Sequence, residues 1–147
     1  MQALVKNIIG SNEGFDTLAL RLAAGAIFTA HGGQKLFGWF GGYGLEGTGA
    51  WMASIGLEPG YFLALMAGSA EFFGGLLLIL GLLVRPAALV LALTMLVAIF
   101  SVHFEHGLFM SNNGYEFALA LFAISAALVL RGAGSLSADR VLQAKLA

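Results

Sequence analysis

Glu71 is an acidic residue inside a long apolar stretch, YFLALMAGSAEFFGGLLLILGLLV, that runs from Tyr61 to Val84. A helix of this length rises about 1.5 Å per residue and would cross the roughly 30 Å hydrocarbon core of a bilayer. A carboxylate near its centre costs roughly 2.5 to 3.5 kcal/mol and normally faces a bundle interior or a wet cavity. Glu71 is therefore a candidate functional residue that needs a partner, with helix packing as the structural alternative.

His31 and Lys35 are the predicted partners of Glu71, since they lie one turn apart on one face of the preceding apolar segment. Counted from the outer surface at about 1.5 Å per residue, Lys35 lies about 6 Å deep, His31 about 12 Å and Glu71 about 15 Å. Arg21 lies near the opposite surface, where its long side chain can reach the cytoplasmic interface. The predicted intramembrane site is therefore Glu71 with His31 and Lys35.

Further ionisable residues lie where the third and fourth predicted helices reach the same outer surface. Polar residues at helix ends are also typical of an ordinary membrane interface, and the positive end of the helix dipole would favour Glu116 without any function. For Arg21, too, a functional role and an ordinary position at the membrane interface are both possible interpretations. The candidate binding residues are Arg21, His103, His106 and Glu116, beside Glu105.

The sequence restricts the redox chemistry and the partners of this chain. It has no cysteine, which excludes disulfides, thiol chemistry, iron-sulfur clusters and covalently attached c-type haem in this polypeptide. No metal site is predicted, and a bis-histidine haem is disfavoured because it would have to join His31 to His103 from different helices. The sequence contains no cluster of Lys and Arg, so nucleic acid is not an expected partner. Any redox role therefore needs a bound cofactor or a partner protein.

The composition indicates an integral membrane protein. Of its 147 residues, 59% are hydrophobic and 10% are charged, against about 25% charged in an average soluble domain. The apolar runs predict an all-α fold, a four-helix membrane bundle in a single domain over residues 1–147. The predicted spanning helices are about 16–39, 61–84, 86–103 and 115–131.

Signals at the helix ends predict the connections between them. Asp16 is the predicted N-cap of the first helix, and Pro86 suits the first position of the third. The glycine-rich outer connection contains a segment, Gly49 to Ile55, that predicts a short interfacial helix capped by Thr48. Asn113-Gly114 predicts a turn, and the polar tail after Arg131 predicts one or two amphipathic turns.

The distribution of basic residues predicts the orientation of the bundle. Lys and Arg occur at both termini and in the turn between the second and third helices, whereas the other two connections carry only Glu. Because cytoplasmic segments are enriched in Lys and Arg, both termini are expected to be cytoplasmic. The basic residues are Lys6, Arg85, Arg131, Arg140 and Lys145, and the acidic ones are Glu46, Glu58 and Glu105.

A spaced motif, E-x-x-G-G-x-x-L-x-x-G, begins at Glu71 and is followed by Arg85. Arg21 and the segment Gly32 to Leu36, which contains Lys35, lie upstream of this motif. A second motif, N-x-Y-E, begins downstream at Asn113. With these motifs, about residues 16–131 resemble the DoxX family of small four-helix membrane proteins. Leu57-Glu58-Pro59 departs from the simpler Gly-x-Pro that precedes the second helix in that family, so the end of the first loop matches least.

The resemblance implies a membrane subunit of a quinone-linked oxidoreductase. Members of the family are associated with thiosulfate:quinone oxidoreductase and with complexes of oxidative or thiol stress. By that analogy Glu71, His31 and Lys35 would be catalytic, binding a quinone carbonyl and transferring its protons. Electrons would come from a redox partner protein or an outer-side substrate.

Two other functions remain open at this point. One is a non-enzymatic membrane anchor or assembly subunit whose polar cluster is a structural network. The other is a small-solute or proton permeation unit, for which so short a chain would have to form a homo-oligomer. In each case the expected location is the bacterial inner membrane, with several spans in contact with the lipid bilayer.

Overall fold

The computed structural model describes residues 2–10 and 14–145, and these residues form helices and connections without any strand. The described residues form seven α-helices: α1 Gln2–Ile9, α2 Asp16–Phe37, α3 Gly44–Ser54, α4 Gly60–Leu80, α5 Val84–Ala98, α6 Glu116–Arg131 and α7 Ala138–Lys145. The helix α5 continues through a π turn over Ile99–His103 and a 3-10 turn over Phe104–His106.

Two of these helical segments are long and apolar enough to cross a membrane, among the residues that the structure describes. They are Gly60–Leu80 and Val84–His106, with lengths of 21 and 23 residues. The segment α6 has only 16 residues, and Arg21, His31 and Lys35 lower the hydropathy of α2. The all-helical fold is confirmed. Of the two apolar segments, Gly60–Leu80 carries Glu71 and Val84–His106, the longer one, follows it in the chain.

Glycine determines where α2 and α4 end, and both helices are shorter than the sequence predicts. Gly38 has a φ of +71° and ends α2 at Phe37, two residues before the predicted end. Gly81 has a φ of +67° and ends α4 at Leu80, where its N–H donates to the carbonyl of Leu78. Glycine adopts this left-handed conformation without the steric cost that a side chain brings.

The beginnings of the helices also differ from the predictions. Asp16 is the first residue of α2 and makes no capping bond; its carboxylate instead pairs with Arg131 at the surface. Helix α5 begins at Val84, so Pro86 is its third residue, where the missing N–H is still harmless in the first turn. Thr48 lies inside α3, which begins earlier than predicted. The turn at Asn113 is confirmed, with a φ of +62°.

The helices α2 and α4 cross at nearly backbone contact because small residues line both faces. A Cβ atom added to Gly32 would lie 2.7 Å from the Cα atom of Phe72, and one added to Gly75 would lie 2.6 Å from the backbone nitrogen of Thr29. Real Cβ atoms do not approach this closely, so neither position has room for a side chain. This close crossing of small residues places the last turn of α2 against the middle of α4.

The C-terminal segment closes one end of the bundle through buried polar contacts. The Arg21 side chain is 1% exposed, and its Nη2 atom donates to the carbonyl of Leu136 at 2.5 Å. The carboxylate of Asp139 accepts hydrogen bonds from the backbone N–H groups of Leu83 and Val84, at 2.8 and 3.0 Å. Asp139, from α7, therefore caps the N-terminus of α5.

The environment of Asp139 acts on its pKa in opposite directions. Burial raises the pKa of the carboxyl above its ordinary value, while the hydrogen bonds from Val84 and Leu83 and the charge of Arg21 lower it. Burial is the larger effect. The structural role of Asp139 has no signal in the sequence, since an aspartate in a polar tail is usually solvated.

Candidate functional site

Glu71 and Lys35 form an ion pair in the interior of the bundle. The Nζ atom of Lys35 lies 2.6 Å from the Oε2 atom of Glu71, and the two side chains are 24% and 6% exposed. Gly68, one turn before Glu71, makes this approach possible, because a Cβ there would lie 3.1 Å from the Cβ of Lys35. A charge-assisted hydrogen bond of this length is stronger than one between neutral groups.

The ion pair lies on the wall of a cavity of about 440 Å³. Helices α2, α4, α5 and α6 surround this cavity, and α3 covers it at the end where the two longer connections lie. The wall is mostly apolar and includes Phe28, Met95 and Leu121. We call it the main cavity. Its titratable lining residues are His31, Lys35, Glu71 and His103.

His31 lies on the main cavity wall one turn before Lys35. Its ring centroid is 6.0 Å from that of Phe117 on α6, with an angle of 44° between the ring planes. The side chain is exposed rather than buried. His31 therefore shares the cavity with the ion pair and also forms the contact between α2 and α6.

His103 reaches the main cavity from the π turn at the end of α5. Its Nδ1 atom lies 2.8 Å from the carbonyl oxygen of Asn113, in the turn that precedes α6. A π turn inserts an extra residue into a helix and rotates the side chains that follow, and such turns occur often at functional sites. Val102 and His103, both in the π turn, line the cavity.

Three of the predicted binding residues lie elsewhere in the described structure. Arg21 is at the opposite end of the bundle, where it contacts backbone carbonyls near α7. The Oε1 atom of Glu116 accepts a hydrogen bond from the N–H of Met110, so it stabilises the connection instead of lining the cavity. His106 is exposed in a 3-10 turn outside the cavity wall.

A second cavity, also of about 440 Å³, lies beneath the glycine-rich connection between α2 and α3. Its lining is more polar and includes Gln34, Tyr43 and Thr48. Lys35 and Trp51 line both cavities, so they lie at the boundary between them. Trp51 was not predicted as a site residue, and an aromatic residue in an outer loop carries no sequence signal that separates a cavity wall from a membrane interface.

The described residues contain no group of three His, Asp or Glu side chains close enough to hold a metal ion. The ionisable groups on the wall of the main cavity are two imidazoles, one ammonium and one carboxylate. The ammonium and the carboxylate already bind each other. Such a set suits hydrogen bonding to a polar group of an organic ligand and the transfer of a proton to it.

Comparison with known proteins defines the family. The family model described as DoxX matches residues 17–104, which include His31, Lys35, Glu71 and His103. The chain belongs to the DoxX family. The resemblance in the motif around Glu71 is thereby confirmed, and DoxX proteins are a membrane family, in agreement with the two apolar helices.

Two relatives of this DoxX protein are informative. It is 36% identical over 119 residues to a Bacillus subtilis (strain 168) protein named "Putative oxidoreductase CatD", covering 80% of this chain and 82% of the relative. It is 35% identical over 78 residues to an uncharacterized protein of Haemophilus influenzae, covering 53% of this chain and 52% of that protein. No solved structure matches the chain.

Proposed function

We propose that this DoxX protein is a membrane subunit of a quinone-linked oxidoreductase and that its main cavity receives the quinone ring. The observation that carries the proposal is the Lys35–Glu71 ion pair on the wall of an otherwise mostly apolar cavity. The name of the Bacillus subtilis relative supports the same reaction class. His31 and His103 complete the polar groups around the ring.

The main cavity fits such a ligand in size and in chemistry. Its volume of about 440 Å³ lies within the usual range for small-molecule sites, about 300 to 1,000 Å³. Phe28, Met95 and Leu121 provide apolar surface for the faces of a ring. The ammonium of Lys35 has two hydrogens beyond the one directed to Glu71 and can donate one to a carbonyl oxygen.

The side chains divide the work of proton transfer. Reduction of a quinone to a quinol takes up two electrons and two protons. The electrons come from a redox partner, because this chain has no cysteine for thiol or iron-sulfur chemistry. Lys35 orients the carbonyl and passes a proton to Glu71 through their shared hydrogen bond, Glu71 gives that proton to the reduced quinone oxygen, and Lys35 is then protonated again. Because Lys35 also borders the more polar second cavity, protons reach the pair from the side of the glycine-rich connection.

Retention of quinone by the purified protein tests this proposal. After gentle extraction into detergent, we expect mass spectrometry to find a bound quinone in near-stoichiometric amount, with added quinone quenching the fluorescence of Trp51. A detergent extract of the same membranes, carried through purification without the protein, gives the background. Absence of retained quinone together with no quenching on titration would contradict the proposal.

We further propose that α2, α4, α5 with its π turn, and α6 all cross a bacterial inner membrane, with both termini in the cytoplasm. The positions of Arg85 and Arg131 support this orientation, since they lie at the same end as the α1 and α7 segments. A fluorescent protein fused after Lys145 should therefore be bright, and alkaline phosphatase inserted at Ser111 should be active. The reverse pair of results would overturn the orientation.

A further inference from the structure

The helices α4 and α5 are close together at one end and apart at the other. Gly74 on α4 packs against Leu91, where an added Cβ would lie 3.0 Å from the Cγ atom of the leucine. Toward the end covered by α3, the side chains that would meet across this interface line the main cavity instead. These side chains are Ala67 on α4 and Thr94, Val97 and Ala98 on α5.

The main cavity reaches the outer surface of the bundle in this gap. Val97 lines the cavity and is also 60% exposed, so its side chain belongs to both the cavity wall and the outside. It lies within the apolar segment Val84–His106, which is long enough to cross a membrane. The outside at this position is therefore lipid in the proposed arrangement.

The rim of the gap is apolar in its chemistry. Ala67, Val97 and Ala98 have hydrocarbon side chains. The hydroxyl of Thr94 donates to the carbonyl of Val90 at 2.9 Å within the same helix, so it needs no partner in the gap. Such a rim favours an alkyl chain over water, because buried apolar surface contributes about 25 cal/mol per Å².

The other openings of the main cavity carry polar groups. Between α2 and α6, His31 and Phe117 line the cavity and are also exposed, with their rings 6.0 Å apart, so this rim carries an imidazole. Trp51, Met52 and Leu57 cover the end, and the boundary with the second cavity carries the ammonium of Lys35. A single apolar chain therefore finds its best path between α4 and α5.

We propose that the α4–α5 gap is a lateral portal, in which the isoprenoid tail of a lipid quinone lies while its ring occupies the main cavity. This inference rests on the proposed quinone function and adds the route of access: the ligand enters from the bilayer and not from the aqueous phase. Substrates with a long tail are then bound through two adjoining surfaces, one polar at Glu71 and one apolar at Val97.

Photolabelling with two probes tests the portal. One probe is a benzoquinone with a diazirine on the first isoprenoid unit of its tail, and the other has the diazirine attached to the ring. We expect tail adducts on Ala67 and residues 94–98, and ring adducts near His31 and Lys35. Excess unlabelled quinone with a natural tail should remove both sets, because it competes for the same site.

The outcomes separate the two proposals. Ring adducts in the main cavity with tail adducts on α2 or α6 would overturn the portal and leave the proposed function intact. Adducts that excess quinone does not remove, with either probe, would overturn both. As a matched pair, Val97→Trp should cause a several-fold loss of competed tail adducts, whereas Leu93→Trp, at a 54% exposed position of α5 outside the cavity, should not.

Discussion

Replacing Glu71 by glutamine is expected to lower quinone reduction by about 100-fold to 10,000-fold, the usual range for loss of a proton-transferring group. Glutamine has nearly the same shape and keeps an oxygen that can accept a hydrogen bond from Lys35, so the bundle should still assemble. The amide cannot take up and release a proton in the way that a carboxylate does. The measurement is the initial rate of quinone reduction by the purified complex, normalised to its protein content.

The matched control is Asp16→Asn, which makes the same chemical change in a different ion pair. Asp16 and Arg131 are 49% and 50% exposed, and exposed pairs are worth at most about 1 kcal/mol. Its activity should remain at the wild-type level. Wild-type activity in Glu71→Gln would contradict the catalytic role. A loss of membrane-inserted protein before any loss of turnover would instead favour the anchor or assembly function.

Replacing Gly32 by alanine is expected to destabilise the bundle by about 1 to 3 kcal/mol, because an added methyl group in a filled interface forces the backbone to move. The new Cβ would lie 2.7 Å from both the Cα and the Cβ atom of Phe72 on α4. Since α2 and α4 must separate, the Lys35 ammonium should also move away from Glu71, which lies next to Phe72. The Tm of thermal unfolding in detergent should fall, and the affinity for quinone should be lower than that of the wild type.

Gly33→Ala provides the matched control in the same helix. At this position the three atoms nearest the added Cβ all belong to the ring of Trp39, the closest at 2.7 Å, and that side chain is 48% exposed. Alanine also has a higher helix propensity than glycine by about 1 kcal/mol. We therefore expect Gly33→Ala to be neutral or stabilising. Equal destabilisation by both substitutions would show that the close α2–α4 crossing is not the cause.

The sequence predicted the helical fold and the pairing of Glu71 with Lys35 for a physical reason. Depth along a helix follows from residue count, so Lys35 and Glu71 could be placed at similar levels without any knowledge of packing. Gly68 lies one turn before Glu71, and a residue without a side chain there lets another helix approach closely. Both signals are local, and local signals are what one sequence contains. Whether these residues carry out catalysis stays a prediction.

The rest of the arrangement depends on contacts between distant parts of the chain. Asp139 caps Val84 across 55 positions of sequence, and no pattern in the polar tail identifies that partner. The π turn that contains His103 has neither glycine nor proline to mark it in the sequence. Trp51 reaches both cavities only because α3 folds over them. Propensity and periodicity carry no information on such contacts.

The capping of α5 by Asp139 has a consequence for the order in which the protein matures. The amides of Leu83 and Val84 cannot receive their cap until residue 139 has been synthesised, and Arg21 must wait for the carbonyl of Leu136. The ends of α2 and α5 therefore lack these hydrogen bonds until the C-terminal segment has been synthesised. These contacts form only when the C-terminal segment folds back, so α7 docks after α2, α4 and α5 have been synthesised.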